Sequence, residues 1–144
     1  MKMIKIEINQ RVGKKINEAW LNKIVERTLG AVGIKRAEIS VAIVGDSEMK
    51  KLNNFYRRKN KTTDVLSFVY ESKKNGGVHP LFGEIIISYP QAVRQAKEYE
   101  WSTKQEIKEL LVHGLLHLAG FDHERGEREA KKMKKMEQVI LEKF

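Results

Sequence analysis

The chain opens with a period-two pattern. Over residues 3–8, Ile4, Ile6 and Ile8 fall on one side of an extended backbone and Lys5 and Glu7 on the other, which predicts a strand with one buried face. The period then changes to that of a helix over residues 14–29, where Ile16, Trp20, Ile24 and Leu29 recur between charges and Gly30 or Gly33 stands ready to end it. Residues 37–44 are rich in β-branched side chains, turn at Gly45 and are apolar on both faces in their second half, the pattern of a buried second strand. Asp46 or Ser47 is placed to cap a short helix with Met49, Leu52 and Phe55 or Tyr56 on its inner side. A third strand follows over residues 65–70, then a polar loop over 71–81 that holds Gly76, Gly77, His79 and Pro80, then a short fourth strand over 83–87.

The second half of the chain is helical in pattern. Ser88 with Gln91 and Thr103 with Glu106 each have capping-box spacing. The first of these helices runs to about Trp101, with Ala92, Val93, Ala96 and Tyr99 on its apolar side. The second is apolar nearly all round from 110 to 118, as expected of a helix buried in the middle of a domain. Ala130, Met133, Met136 and Ile140 mark a last amphipathic helix over 127–144 with a Lys-rich outer face. This order predicts an α+β fold: one small mixed four-stranded sheet with about five helices, in a single domain of 1–144.

Composition narrows the setting. The 144 residues suffice for a core without disulfides, and the chain has no cysteine, which fits a reducing compartment. The longest run free of formal charge, residues 110–121, is well short of the ~20 apolar residues that span a bilayer. Charged residues interrupt the N-terminus too early for a signal peptide, so a cytoplasmic protein with no membrane segment is expected. Twenty-eight Lys and Arg against 19 Asp and Glu leave a net charge of +9, a field that attracts polyanions, of which RNA is the natural candidate. Arg57-Arg58-Lys59-Asn60-Lys61 concentrates four of these cations in one loop.

Three of the four histidines lie within eleven residues. His113 and His117, four apart on a helix, present two imidazoles on one face. Gly120 can take positive φ and fold the chain back so that His123 joins them; a helix running straight on would carry His123 about 9 Å further along the axis. Three protein ligands with an open position are the arrangement of catalytic zinc, and nitrogen donors favour zinc over magnesium or calcium. The central helix is thus expected to be both buried and metal-bearing. The histidine spacing is also that of the metzincin proteases, but their general-base Glu is replaced here by Gly114, which ranks peptide hydrolysis below other metal-assisted hydrolysis.

Several stretches in order, Leu52-Asn53 with Tyr56-Arg57 and Lys59, then Thr63-Asp64-Val65-Leu66-Ser67-Phe68, then Gly83-Glu84-Ile85-Ile86-Ile87-Ser88, then the segment from His113-Gly114 to Gly120-Phe121-Asp122-His123, resemble the YbeY family. Departures are mild: Thr62 where the family usually has Pro, Asn60 for Asp, Val69 for Pro, Glu84 for Asp and Phe121 for Tyr. None removes a ligand.

The resemblance implies a zinc-dependent endoribonuclease that cleaves single-stranded RNA in ribosomal RNA 3′-end maturation and ribosome quality control, with one zinc per chain on His113, His117 and His123. It implies Arg57 and His113 as catalytic residues, and ribosomal RNA as partner together with ribosomal proteins or the small subunit. Arg57, Arg58, Lys59 and Lys61 are the expected substrate-binding cations. Asp122 is read as a turn cap or as a group that orients an imidazole or an attacking water, and Thr63, Asp64 and Ser67 as cleft or strand-entry residues. Glu106 and Glu109 are read as capping or surface groups, and His79 as no ligand. A metalloprotease, or a non-catalytic ribosome-associated factor whose metal locks the last helix, are the alternatives.

Overall fold

The computed structural model describes residues 3–59, 61, 63–70 and 81–144. Four strands, β1 (Ile4–Gln10), β2 (Ala37–Val44), β3 (Val65–Tyr70) and β4 (Leu81–Ser88), form one sheet in the order β1-β2-β4-β3. β1 and β2 are parallel, as are β2 and β4, whereas β3 runs antiparallel to β4 and forms an edge. The helices are α1 (Glu18–Ala31), α2 (Asp46–Arg57), α3 (Tyr89–Tyr99), α4 (Thr103–Leu118) and α5 (Glu127–Leu141), with a 3₁₀ turn at His123–Arg125 before the last. The α+β reading is therefore correct in element order and count. Gly76, Gly77, His79, Pro80, Asn60 and Thr62 lie outside the described residues. Among the described residues no helix is long and apolar enough to cross a membrane.

The alternation of side chains in each strand divides the core in two. Ile39, Val41, Ile43, Ile85 and Ile87 point to one face and join Leu21, Ile24, Leu111, Leu115, Leu116, Met133 and Ile140 in the main cluster. Ala42, Val44, Leu66 and Ile86 point to the other face and pack with Met49 of α2 in a smaller one. Each fully buried Leu or Ile stabilises the fold by about 1.5–3 kcal/mol.

α4 touches α1, α3, α5, β3 and β4, which is why it is apolar nearly all round. It crosses the sheet closely: a Cβ built on Gly114 would lie 3.1 Å from Ser67 Oγ and 3.2 Å from Ile85 Cγ2. Ser67 Oγ also donates to the Gly114 carbonyl oxygen, at 3.3 Å. Gly114→Ala is therefore expected to destabilise the fold by about 1 kcal/mol, overpacking of about 1–3 kcal/mol outweighing the helix-propensity gain of about 1. A denaturant midpoint equal to or above that of the native sequence would contradict this close crossing.

Several local expectations are corrected. α2 is capped by Gly45 in extended conformation with no side-chain bond, so neither Asp46 nor Ser47 is the cap; Asp46 sits inside the first turn and accepts from Ser88 and Arg94. Neither Phe55 nor Tyr56 is on the inner side: they are 77% and 52% exposed, because the last turn of α2 projects past the small apolar patch the sheet offers it. α3 ends at Tyr99, not Trp101, and Tyr99 is exposed. Ser102, not Thr103, caps α4, accepting from the Gln105 amide at 3.0 Å. That leaves Glu106 free to turn inward. It is buried rather than superficial and accepts from Gln95 Nε2 at 2.7 Å and Trp101 Nε1 at 3.0 Å.

Candidate metal centre

The C-terminal turn of α4 builds the site. Gly120 has φ +102, and the Gly120 and Phe121 amides donate to the carbonyls of His117 and Leu116, so the helix closes in a paired C-cap that a left-handed glycine permits. The chain reverses there, and the Asp122 carboxylate caps the following 3₁₀ turn by accepting from the Glu124 amide at 2.9 Å. His123 is carried back over the helix as a result. The three rings converge, with centroids 4.9, 5.2 and 5.1 Å apart, and their nearest ligand atoms all lie within 4.8 Å of one another. His117 Nε2 and His123 Nδ1 are 3.2 Å apart, close to the ~3.4 Å between nitrogens that share one zinc at about 2.1 Å.

Protonation favours a metal. Burial, and then the neighbouring imidazoles of His113 and His123, hold His117 below the ordinary imidazole pKa, so it is neutral at pH 7 with a lone pair to offer. His113 Nδ1 lies 2.7 Å from Glu137 Oε1. A carboxylate only accepts, so Nδ1 carries the proton and Nε2 is left as donor to an ion. Three imidazole nitrogens with no carboxylate among them suit zinc.

Glu137 was not anticipated. The signal was present: it falls four residues after Met133 and three before Ile140, on the inner stripe of α5, where a charged residue needs a partner. Burial pushes the nearby Glu109 carboxyl up, opposed by a hydrogen bond from Gln105 and reinforced by the charge of Glu137. Glu109 is thus half-buried beside the site and neither a cap nor a surface group. Glu137→Gln is expected to weaken metal affinity by roughly 10- to 100-fold, the usual cost of losing the group that orients a ligand imidazole. Competition with a coloured chelator measures it; affinity within twofold of the native protein would remove Glu137 from the site.

The three histidines open onto a cleft of about 600 Å³ whose far wall is the edge strand β3. Arg57, Thr63, Asp64, Ser67, Phe68 and Asp122 line it with them. Asp64 is held by the Val65 amide at 2.8 Å and by Gln95 at 3.3 Å. Asp122 acts as the turn cap described above, and Glu137 is the group that bonds an imidazole. Of the four cations singled out, Arg57 alone lines the cleft; Arg58, Lys59 and Lys61 are exposed beside it. Asn53 fastens this basic stretch to α2: buried, it donates from Nδ2 to the Lys61 carbonyl at 2.8 Å. Arg58 turns the chain there in left-handed conformation at φ 55.

Comparison with known proteins agrees over nearly the whole chain. A family model described as endoribonuclease YbeY matches residues 3–144. The Aquifex aeolicus protein named endoribonuclease YbeY is 41% identical over 131 residues, covering 91% of this chain and 86% of the relative. One of the same name from Leptospira interrogans is 45% identical over 120 residues, covering 73% and 85%. The solution structure of TM1509 from Thermotoga maritima superposes with a TM-score of 0.63 at 27% identity, over 97% of this chain and 87% of that one.

Proposed function

The chain belongs to the endoribonuclease YbeY family, and from that premise we propose that it is a zinc-dependent endoribonuclease cleaving single-stranded RNA in ribosomal RNA 3′-end maturation and ribosome quality control. The observation that carries this reading is the meeting, in one cleft, of three converging imidazoles and the Arg57 guanidinium. Residues 1–144 act as a single catalytic domain in the cytoplasm, with ribosomal RNA as substrate and ribosomal proteins or the small subunit as partners.

His113, His117 and His123 would hold one zinc ion per chain. When bound, zinc polarises a phosphoryl oxygen and makes water acidic enough to attack at neutral pH. Everything else is the work of the chain. Glu137 keeps the His113 ring in the tautomer that presents Nε2. Asp122 sets the turn that brings His123 home. Arg57, with its planar fork of donors, grips the phosphate at two points and offsets the charge that builds on it. Arg58, Lys59 and Lys61 draw the polyanion towards the cleft and contact phosphates outside it.

The protease reading loses further ground. A glutamate at position 114 would have to start from a Cβ already pressed against Ser67 and Ile85.

Metal removal tests the proposal. Protein stripped by a chelator and assayed in metal-free buffer loses cleavage of a single-stranded RNA and regains it with added zinc, while elemental analysis of the untreated sample gives about one ion per chain. Undiminished cleavage by the stripped protein would overturn it.

A further inference from the structure

Two large aromatic side chains stand out in solvent on the helix turn that leads to the cleft. Phe55 is 77% and Tyr56 52% exposed, on the last turn of the helix that ends in Arg57. They are not isolated. Phe68, which lines the cleft, contacts Tyr56 with centroids 4.5 Å apart, and Tyr56 contacts Phe55 edge-on at 4.9 Å. Three rings therefore lead from the edge strand β3 outward to a phenyl group with open space around it. Leaving such a ladder in water is unfavourable unless it meets a partner.

Charge identifies the partner's chemistry. Residues 50–61 carry six cations, Lys50, Lys51, Arg57, Arg58, Lys59 and Lys61, and no carboxylate. A ring surface inside a purely cationic stretch suits a chain that alternates flat apolar groups with anions, which is a single-stranded nucleic acid: bases stack on the rings while phosphates meet the Lys and Arg side chains. An ordinary apolar protein surface has no use for the cations.

We infer that Phe55, braced by Tyr56 and Phe68, is a stacking platform for an unpaired base of the strand whose scissile phosphate Arg57 holds in the cleft. This rests on the nuclease reading and adds to it the reason for a single-strand requirement, because a paired base is not free to leave its stack and lie on Phe55.

The test is Phe55→Ala and Phe55→Trp, changes at a position too exposed to disturb the core, with an RNA oligonucleotide and a series bearing one abasic residue at each position around the cut. Phe55→Ala is expected to raise KM roughly tenfold with kcat within twofold, and Phe55→Trp to restore it. In the unaltered protein one abasic position should raise KM similarly, and that position should make no further difference in Phe55→Ala. The log–log slope of binding against salt should be unchanged in Phe55→Ala, since a stacking contact releases no counterions. Normal KM in Phe55→Ala, or an equal abasic penalty with and without the ring, would overturn the platform while leaving the nuclease intact. Absence of RNA cleavage by the unaltered protein would instead strike the reading beneath it.

Discussion

His117→Ala is expected to abolish metal retention and to lower RNA cleavage by about 10³-fold or more. His117 belongs to the converging trio: its ring lies against both His113 and His123, and its Nε2 is 3.2 Å from His123 Nδ1. Without it two imidazoles from different segments remain, and the cluster of three candidate ligands found among the described residues is broken. The several kcal/mol that Lewis-acid stabilisation supplies to a transition state, at about 1.4 kcal/mol per decade, set the size of the loss. The fold should survive, because the ring is only half-buried and the apolar stripe of α4 is untouched. Elemental analysis, circular dichroism and a cleavage assay on one sample check all three; cleavage within tenfold of the native rate would defeat the assignment.

The same residue carries a pH effect in the metal-free protein. Since its folded pKa is depressed, the unfolded chain binds the proton more readily, so stability rises with pH through this interval. The contribution is fully present above the ordinary imidazole pKa and is lost as pH falls towards the depressed one.

Arg57→Ala is expected to keep the metal and still lower kcat by about 10²–10³-fold, the usual cost of removing one preorganised donor from developing charge. Its position supports this size: it lines the cleft at the end of α2, and among the described residues no carboxylate lies in ion-pair reach of it. Arg57→Lys should recover only part of the rate, because an ammonium cannot reproduce the bidentate fork. Loss of metal in Arg57→Ala, or full rescue by lysine, would show that the residue acts through structure or bulk charge instead. The two variants separate the roles: one abolishes both readouts, the other a single one.

How much of this was legible beforehand follows from the range of each interaction. The four-residue interval between His113 and His117 and the glycine after them could be read directly, since helical geometry and a positive φ are properties of adjacent residues. The same holds for the element order and for the all-round apolar surface of α4. Capping is legible only in part: Ser88 caps α3 as its spacing predicts, whereas Gly45 and Ser102 displace Asp46 or Ser47 and Thr103, because neighbouring candidates differ by less than the packing that chooses between them.

What the amino-acid order alone determined, then, is the trio of histidines, their shared turn and the α+β class, all set by local backbone geometry and hydrophobic period. Only tertiary packing decided that β3 lies at the sheet edge as the wall of the cleft, that Gly114 meets Ser67 across 47 residues, that Glu137 reaches His113 across 24, and that Phe55 is left in water. Those outcomes depend on how helices settle over a sheet, where burial is shared among many distant side chains and no short stretch carries the answer.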